Sequence, residues 1–191
     1  MNSGRIKFLL IVFIFTVPFV ISYYLSKDYH ASGELKTSNY GSFINPIVEL
    51  SQSTFDDYSG ENLNVNQHLT KWSLIYRMPK NCLQRCSDEI YLIRQVNIAL
   101  GKDMNRLERV IVLNQTMISS EVDDVVVKYP KAIVVKNNSS TFINEINKIT
   151  ERHVLLLTDP LGNVILGYDE GFEGKKLLKD IKKLLKLSKI G

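Results

Sequence analysis

Cys82 and Cys86 are the only cysteines in the chain, spaced as Cys-Leu-Gln-Arg-Cys. They follow a strand-like run and precede a helix-like run, so both sulfurs are expected near a helix N-terminus. Free N–H groups and the helix dipole favour thiolate over thiol there. A thiolate pair either exchanges disulfides or binds a soft metal such as Cu(I). With i, i+4 spacing, both side chains share a face if the turn is already helical. A structural disulfide, or two buried thiols, accounts for the same pair without chemistry. A metal site needs a further ligand, and the candidates are His30, His68 and His153.

The elements that must position these residues begin at Trp72-Ser-Leu-Ile-Tyr76, an aromatic and β-branched run that reads as a strand. Arg77 to Asn81 reads as a turn. Asp88 to Leu100 carries apolar residues at helical spacing and closes on Gly101. Leu107–Leu113 is the next expected strand, Val122–Tyr129 a short helix and Ala132–Val135 a short strand. Thr141–Ile149 reads as a helix behind a serine cap. His153–Leu157 and Val164–Tyr168 are strands joined by the turn Asp159-Pro-Leu-Gly-Asn163. Pro160 presets φ in that turn, and Gly162 permits a positive φ. Glu173–Leu187 is the last helix.

Alternating strands and helices predict an α/β fold with a sheet covered on both faces. The order matches the thioredoxin-like plan: a mainly parallel central sheet, then a C-terminal β-hairpin plus helix. In such a sheet the start of the strand before the hairpin faces the cysteine turn, which places His153 as the candidate third ligand. Redox members of this fold usually carry a cis-proline there. The chain instead reads Thr150-Glu-Arg-His153.

Before this domain, Phe8–Leu25 is an uncharged apolar run of 18 residues, the length of a membrane-spanning helix. Arg5 and Lys7 precede it, and Lys27 and Asp28 nearly cancel behind it. The positive-inside rule keeps residues 1–7 in the cytoplasm. The expected organisation is a cytoplasmic N-terminus (1–7), an anchor (8–25), an extended linker and lead-in (26–66) and a thioredoxin-like domain (67–191). Asn39–Leu50 is an apolar island within the lead-in, broken by Gly41 and Pro46, and 51–66 reads as a loop. A formal charge of +4 is too mild to suggest nucleic acid. The last helix carries a lysine face opposite a leucine stripe. That pattern suits either an anionic surface or ordinary packing with a solvated face.

The blocks Trp72-Ser-Leu-Ile-Tyr, Cys82-x-x-x-Cys86, Ile90 to Asp103 and Arg109-Val stand in an order that resembles the Sco/SenC branch of thioredoxin-like proteins. More narrowly, it resembles the membrane-anchored Sco-like proteins associated with bacterial cytochrome c oxidase. The Asn39–Leu50 island, Thr158–Asn163 and Asp180–Gly191 are similar to that group. The resemblance implies a metallochaperone in the bacterial inner membrane, single-pass, with its domain in the periplasm. Its cargo would be copper, with Cys82, Cys86 and His153 as ligands. Its partner would be the copper-bearing subunit of cytochrome c oxidase or another copper-handling protein. Two positions depart from the family pattern. His153 stands only six positions before Asp159, and Ser87 follows Cys86 where a proline is usual. Two alternatives stay open: a thiol–disulfide reductant using Cys82 and Cys86 on an oxidase subunit, and an anchored non-catalytic domain with a structural disulfide.

Overall fold

The computed structural model describes residues 3–31, 38–79, 84–115, 117 and 119–188, in two units, 1–38 and 39–191. The first unit holds helix α1 (Ser3–Ala31). Its apolar stretch Ser3–Tyr24 is long and apolar enough to cross a membrane. At 1.5 Å per residue these 22 residues reach about 33 Å, against a hydrocarbon core of about 30 Å.

The second unit opens with β1 (Ser42–Glu49), followed by β2 (Thr54–Asp56), β3 (Asn62–Asn64), α2 (Val65–His68) and β4 (Trp72–Arg77). Then come α3 (Gln84–Ala99), a 3₁₀ turn (Gly101–Arg106), β5 (Leu107–Val112), α4 (Ser119–Lys128) and β6 (Ile133–Val135). The chain closes with α5 (Thr141–Ile146), β7 (His153–Thr158), β8 (Asn163–Asp169) and α6 (Gly174–Leu187). The six-stranded sheet runs β1-β8-β7-β4-β5-β6, and β2 and β3 form a separate hairpin.

The fold is thioredoxin-like, with a parallel half of β4, β5 and β6. The hairpin β7–β8 does not form an antiparallel edge. β7 pairs with β4, and β1 covers β8, so the sheet is mixed. The apolar lead-in is therefore an edge strand. Pro46 is tolerated there because an edge residue need not donate to a ladder on its outer side. The expected loop 51–66 contains the β2–β3 hairpin and the start of α2.

Strand alternation builds two cores. Trp72, Leu74, Tyr76, Leu107, Ile111, Leu155 and Leu157 face α3 and α6. Ile75, Val110, Val112 and Leu156 face α5, where the Phe55 and Phe142 rings pack at a tilt with centroids 5.5 Å apart. Central strands buried on both faces explain the nearly continuous hydrophobic runs of β4, β5 and β7. α5 begins after Ser140, but the expected serine cap is absent. The hydroxyl makes no bond, and Asn138 Oδ1 instead accepts the Ser140 N–H. Gly162 has a φ of +87°, and a Cβ there would come within 2.9 Å of the Ser51 nitrogen, so the hairpin turn needs glycine twice over.

Candidate functional site around Cys86

α3 starts four residues earlier than its apolar pattern indicates, so Cys86 lies in its first turn. The side chain is buried at 3% exposure as part of the core on the α3 and α6 side of the sheet, and Cys86 is disulfide-bonded. Cys82 lies outside the described residues. The position of Cys86 follows from topology: β4 is central, and α3 is the next element after its C-terminal end. A sulfur at a helix N-terminus, once reduced, has its thiolate favoured by the dipole.

Below Cys86, Glu89 sits one turn further along α3, 5% exposed. Its carboxylate accepts the Tyr76 hydroxyl at 2.7 Å and the Gly171 N–H at 2.8 Å. Burial, reinforced by Glu89, holds the Tyr76 proton well above the ordinary tyrosine range. Arg85 pairs with Glu170. These contacts tie the first turns of α3 to β4 and to the loop after β8.

Two concavities flank the turn. One, of about 440 Å³, is lined by Arg77, Pro79, Arg85, Asn114, Glu151 and Glu170 among others. The other, of about 540 Å³, touches Cys86 itself, with Met78, Ile90, Met117, Val125 and Tyr129 among its walls. Arg77 is committed to structure. Its guanidinium donates to the carbonyls of Ile146 at 3.1 Å, Thr150 at 2.6 Å and His153 at 3.0 Å. Burial lowers its pKa, since the charged head is taken from water.

The structure does not bring His153 to Cys86. Val154 and Leu155 both face the α3 core because the register shifts between His153 and Leu155. That bulge turns His153 to the opposite face. There its ring lies on Gly167, where an added Cβ would come 2.6 Å from its Cγ, and its Nδ1 is 2.7 Å from Asp169 Oδ1. Gly167 and Asp169 alternate with Leu166 and Tyr168, which point to the Cys86 side. His68 is exposed at the end of α2, and His30 lies in α1 with its side chain outside those described. Among the described residues, no three His, Cys, Asp or Glu side chains are grouped to hold a metal. The sequence reading missed the buried Glu89 and the two methionines beside Cys86. A carboxylate one turn after a cysteine on the apolar stripe was the available signal for Glu89.

Solved structures similar to this chain include yeast Sco1, 16% identical, covering 78% of this chain and 100% of that one at a TM-score of 0.58. Arabidopsis thaliana ScoI with copper bound is 14% identical, covering 73% and 99% at a TM-score of 0.56. MTB dsbF, solved in mixed oxidized and reduced forms, is 18% identical, covering 71% and 96% at a TM-score of 0.53. These likenesses show the shared fold. No curated protein matches the chain. The model described as transmembrane-like, thioredoxin-like, C-terminal domain matches residues 72–188, more than half of the sequence, and the chain belongs to that family.

Proposed function

We propose that this chain is a membrane-anchored copper carrier for the assembly of cytochrome c oxidase, binding and passing on the metal without catalytic turnover. The observation that carries the reading is Cys86 in the first turn of α3, beside a cavity at the end of the central strand β4. Cys82 is the second proposed thiolate. The fold shared with copper-bound Arabidopsis ScoI supports the reading. With Arg5 and Lys7 before the apolar helix, the domain would face the periplasm of a bacterial inner membrane. The disulfide at Cys86 must first be reduced. Two electrons and two protons from a dithiol partner yield two thiols, and each proton leaves as its sulfur binds Cu(I). His153, the expected third ligand, would have to leave Asp169 and cross the sheet to join the cysteines, so the proposed site is thiolate-based.

The test is anaerobic Cu(I) titration of the reduced full chain in detergent against a competing chelator. One-to-one competitive binding, lost in Cys82→Ser/Cys86→Ser, is the expected result. Equal affinity in the double variant would sink the proposal.

A second reading is favoured by the disulfide at Cys86 and by the turned-away His153: a thiol–disulfide reductant for cysteines of an oxidase subunit. It predicts no competitive Cu(I) binding. It also predicts stoichiometric reduction of a disulfide-bonded peptide as the chain's own pair oxidises.

A further inference from the structure

We infer that the Cu(I) site is built from sulfur alone, with the thioethers of Met78 and Met117 completing the coordination that the Cys86 thiolate begins. The inference rests on the copper reading and names its donors. The chain has four methionines, and two of them line a cavity that touches Cys86. They arrive from separate segments. Met78 directly follows β4 and is held by its N–H donating to the Val112 carbonyl at 3.0 Å. Met117 follows β5 and is held by its N–H donating to the Asn114 carbonyl at 3.2 Å. β4 and β5 are parallel neighbours, so both thioethers sit beyond the carboxyl ends of adjacent strands, where open α/β sheets bind ligands. Cys86 closes the group from α3.

The chemistry fits the cargo. Cu(I) is soft and selects thiolate and thioether donors over oxygen. The other walls mix apolar Ile90, Val125, Val127 and Tyr129 with Ser87, Asp124 and Lys128, and of the donors present the sulfurs suit Cu(I) better than the oxygens. Ordinary cavity filling is the competing account of a methionine. Met104 fits that account, packed at the far end of α3. Met78 and Met117 are half-exposed, and each presents its side chain to a cavity shared with a cysteine. On binding, each thiol ligand gives its proton to solvent and the thioethers have none to give.

The experiment uses the reduced full chain in detergent, labelled with selenomethionine and loaded anaerobically with one equivalent of Cu(I). X-ray absorption at the selenium edge is expected to show a copper neighbour, and the copper edge a selenium neighbour. Met78→Leu and Met117→Leu keep the side-chain volume and so the fold. Each is expected to weaken Cu(I) in chelator competition by about tenfold or more, while Met104→Leu leaves it unchanged. One-to-one copper binding through cysteine, with no selenium–copper scattering and unchanged affinities, overturns the methionine donors and leaves the copper reading standing. No competitive Cu(I) binding at all overturns both.

Discussion

His153 Nδ1 and Asp169 Oδ1 lie 2.7 Å apart across β7 and β8, on the face of the sheet away from Cys86. Arg152 pairs with the second oxygen of Asp169, so the carboxylate holds two partners at the sheet margin. The side chain of His153 is 12% exposed and serves to pack the start of β7. His153→Ala is expected to leave Cu(I) affinity unchanged within about twofold while lowering unfolding stability by about 1 kcal/mol. Chelator competition and urea denaturation on the same variant check both halves. A large loss of copper affinity would show that the histidine reaches the cysteines in solution.

The close approach of His153 to Gly167 supplies a second prediction. A Cβ at 167 would sit 2.6 Å from His153 Cγ and 2.7 Å from Cδ2, so the ring must move. Gly167→Ala is expected to cost roughly 1–3 kcal/mol, as overpacking does. In the His153→Ala background the same change should cost clearly less. The double-mutant cycle reads this as a coupling, and additive effects would refute the contact.

Asp180 carries a third prediction. It is 1% exposed and accepts the N–H groups of Tyr40 at 2.9 Å and Gly41 at 2.9 Å, and the Tyr168 hydroxyl at 3.1 Å. One buried carboxylate therefore ties the start of the lead-in to β8 and α6. Asp180→Ala leaves these donors unpaired and should cost roughly 3 kcal/mol. Amide exchange at Gly41 should speed up before any change in β4. Unaltered protection there would mean that the lead-in is held by β1 pairing alone.

These cases separate what the sequence could disclose from what it could not. α3 was legible because one buried face imposes a helical period, β4 because burial on both faces leaves a continuous aromatic and β-branched run, and the Asp159–Asn163 turn because Pro160 and Gly162 have few alternatives. His153 was placed from the thioredoxin-like plan, in which the start of this strand faces the cysteine turn, and the bulge that turns it away leaves no mark in residue type. Asp180 stands among the lysines of α6 and looks like a solvated charge. Only the arrival of residues 40 and 41, 140 positions and nearly that many away in the chain, makes it a buried anchor. β2 and β3 are three residues each, too short for a period to register. Met78 and Met117 converge through the parallel pairing of β4 with β5, a relation that neither residue type nor spacing encodes.

Tyr76 and Tyr168 give the pH dependence. Burial, then the bond to Glu89, raises the pKa of Tyr76; burial, then the charge of Asp180, raises that of Tyr168. Both stay protonated in the folded chain at pH values where an unfolded tyrosine, with a pKa of about 10, releases its proton. Above that point the unfolded state binds fewer protons than the folded one, so stability falls as pH rises. The stability contributed by the two buried hydroxyls is fully present below about pH 10 and is lost progressively above it. Each tyrosine should contribute a slope approaching about 1.4 kcal/mol per pH unit. Urea midpoints measured from pH 9 upward should decline in the parent chain and decline less steeply in Tyr76→Phe, which removes one of the two titrations. Parallel declines in the parent and the variant would show that the Tyr76 hydroxyl is not held by Glu89.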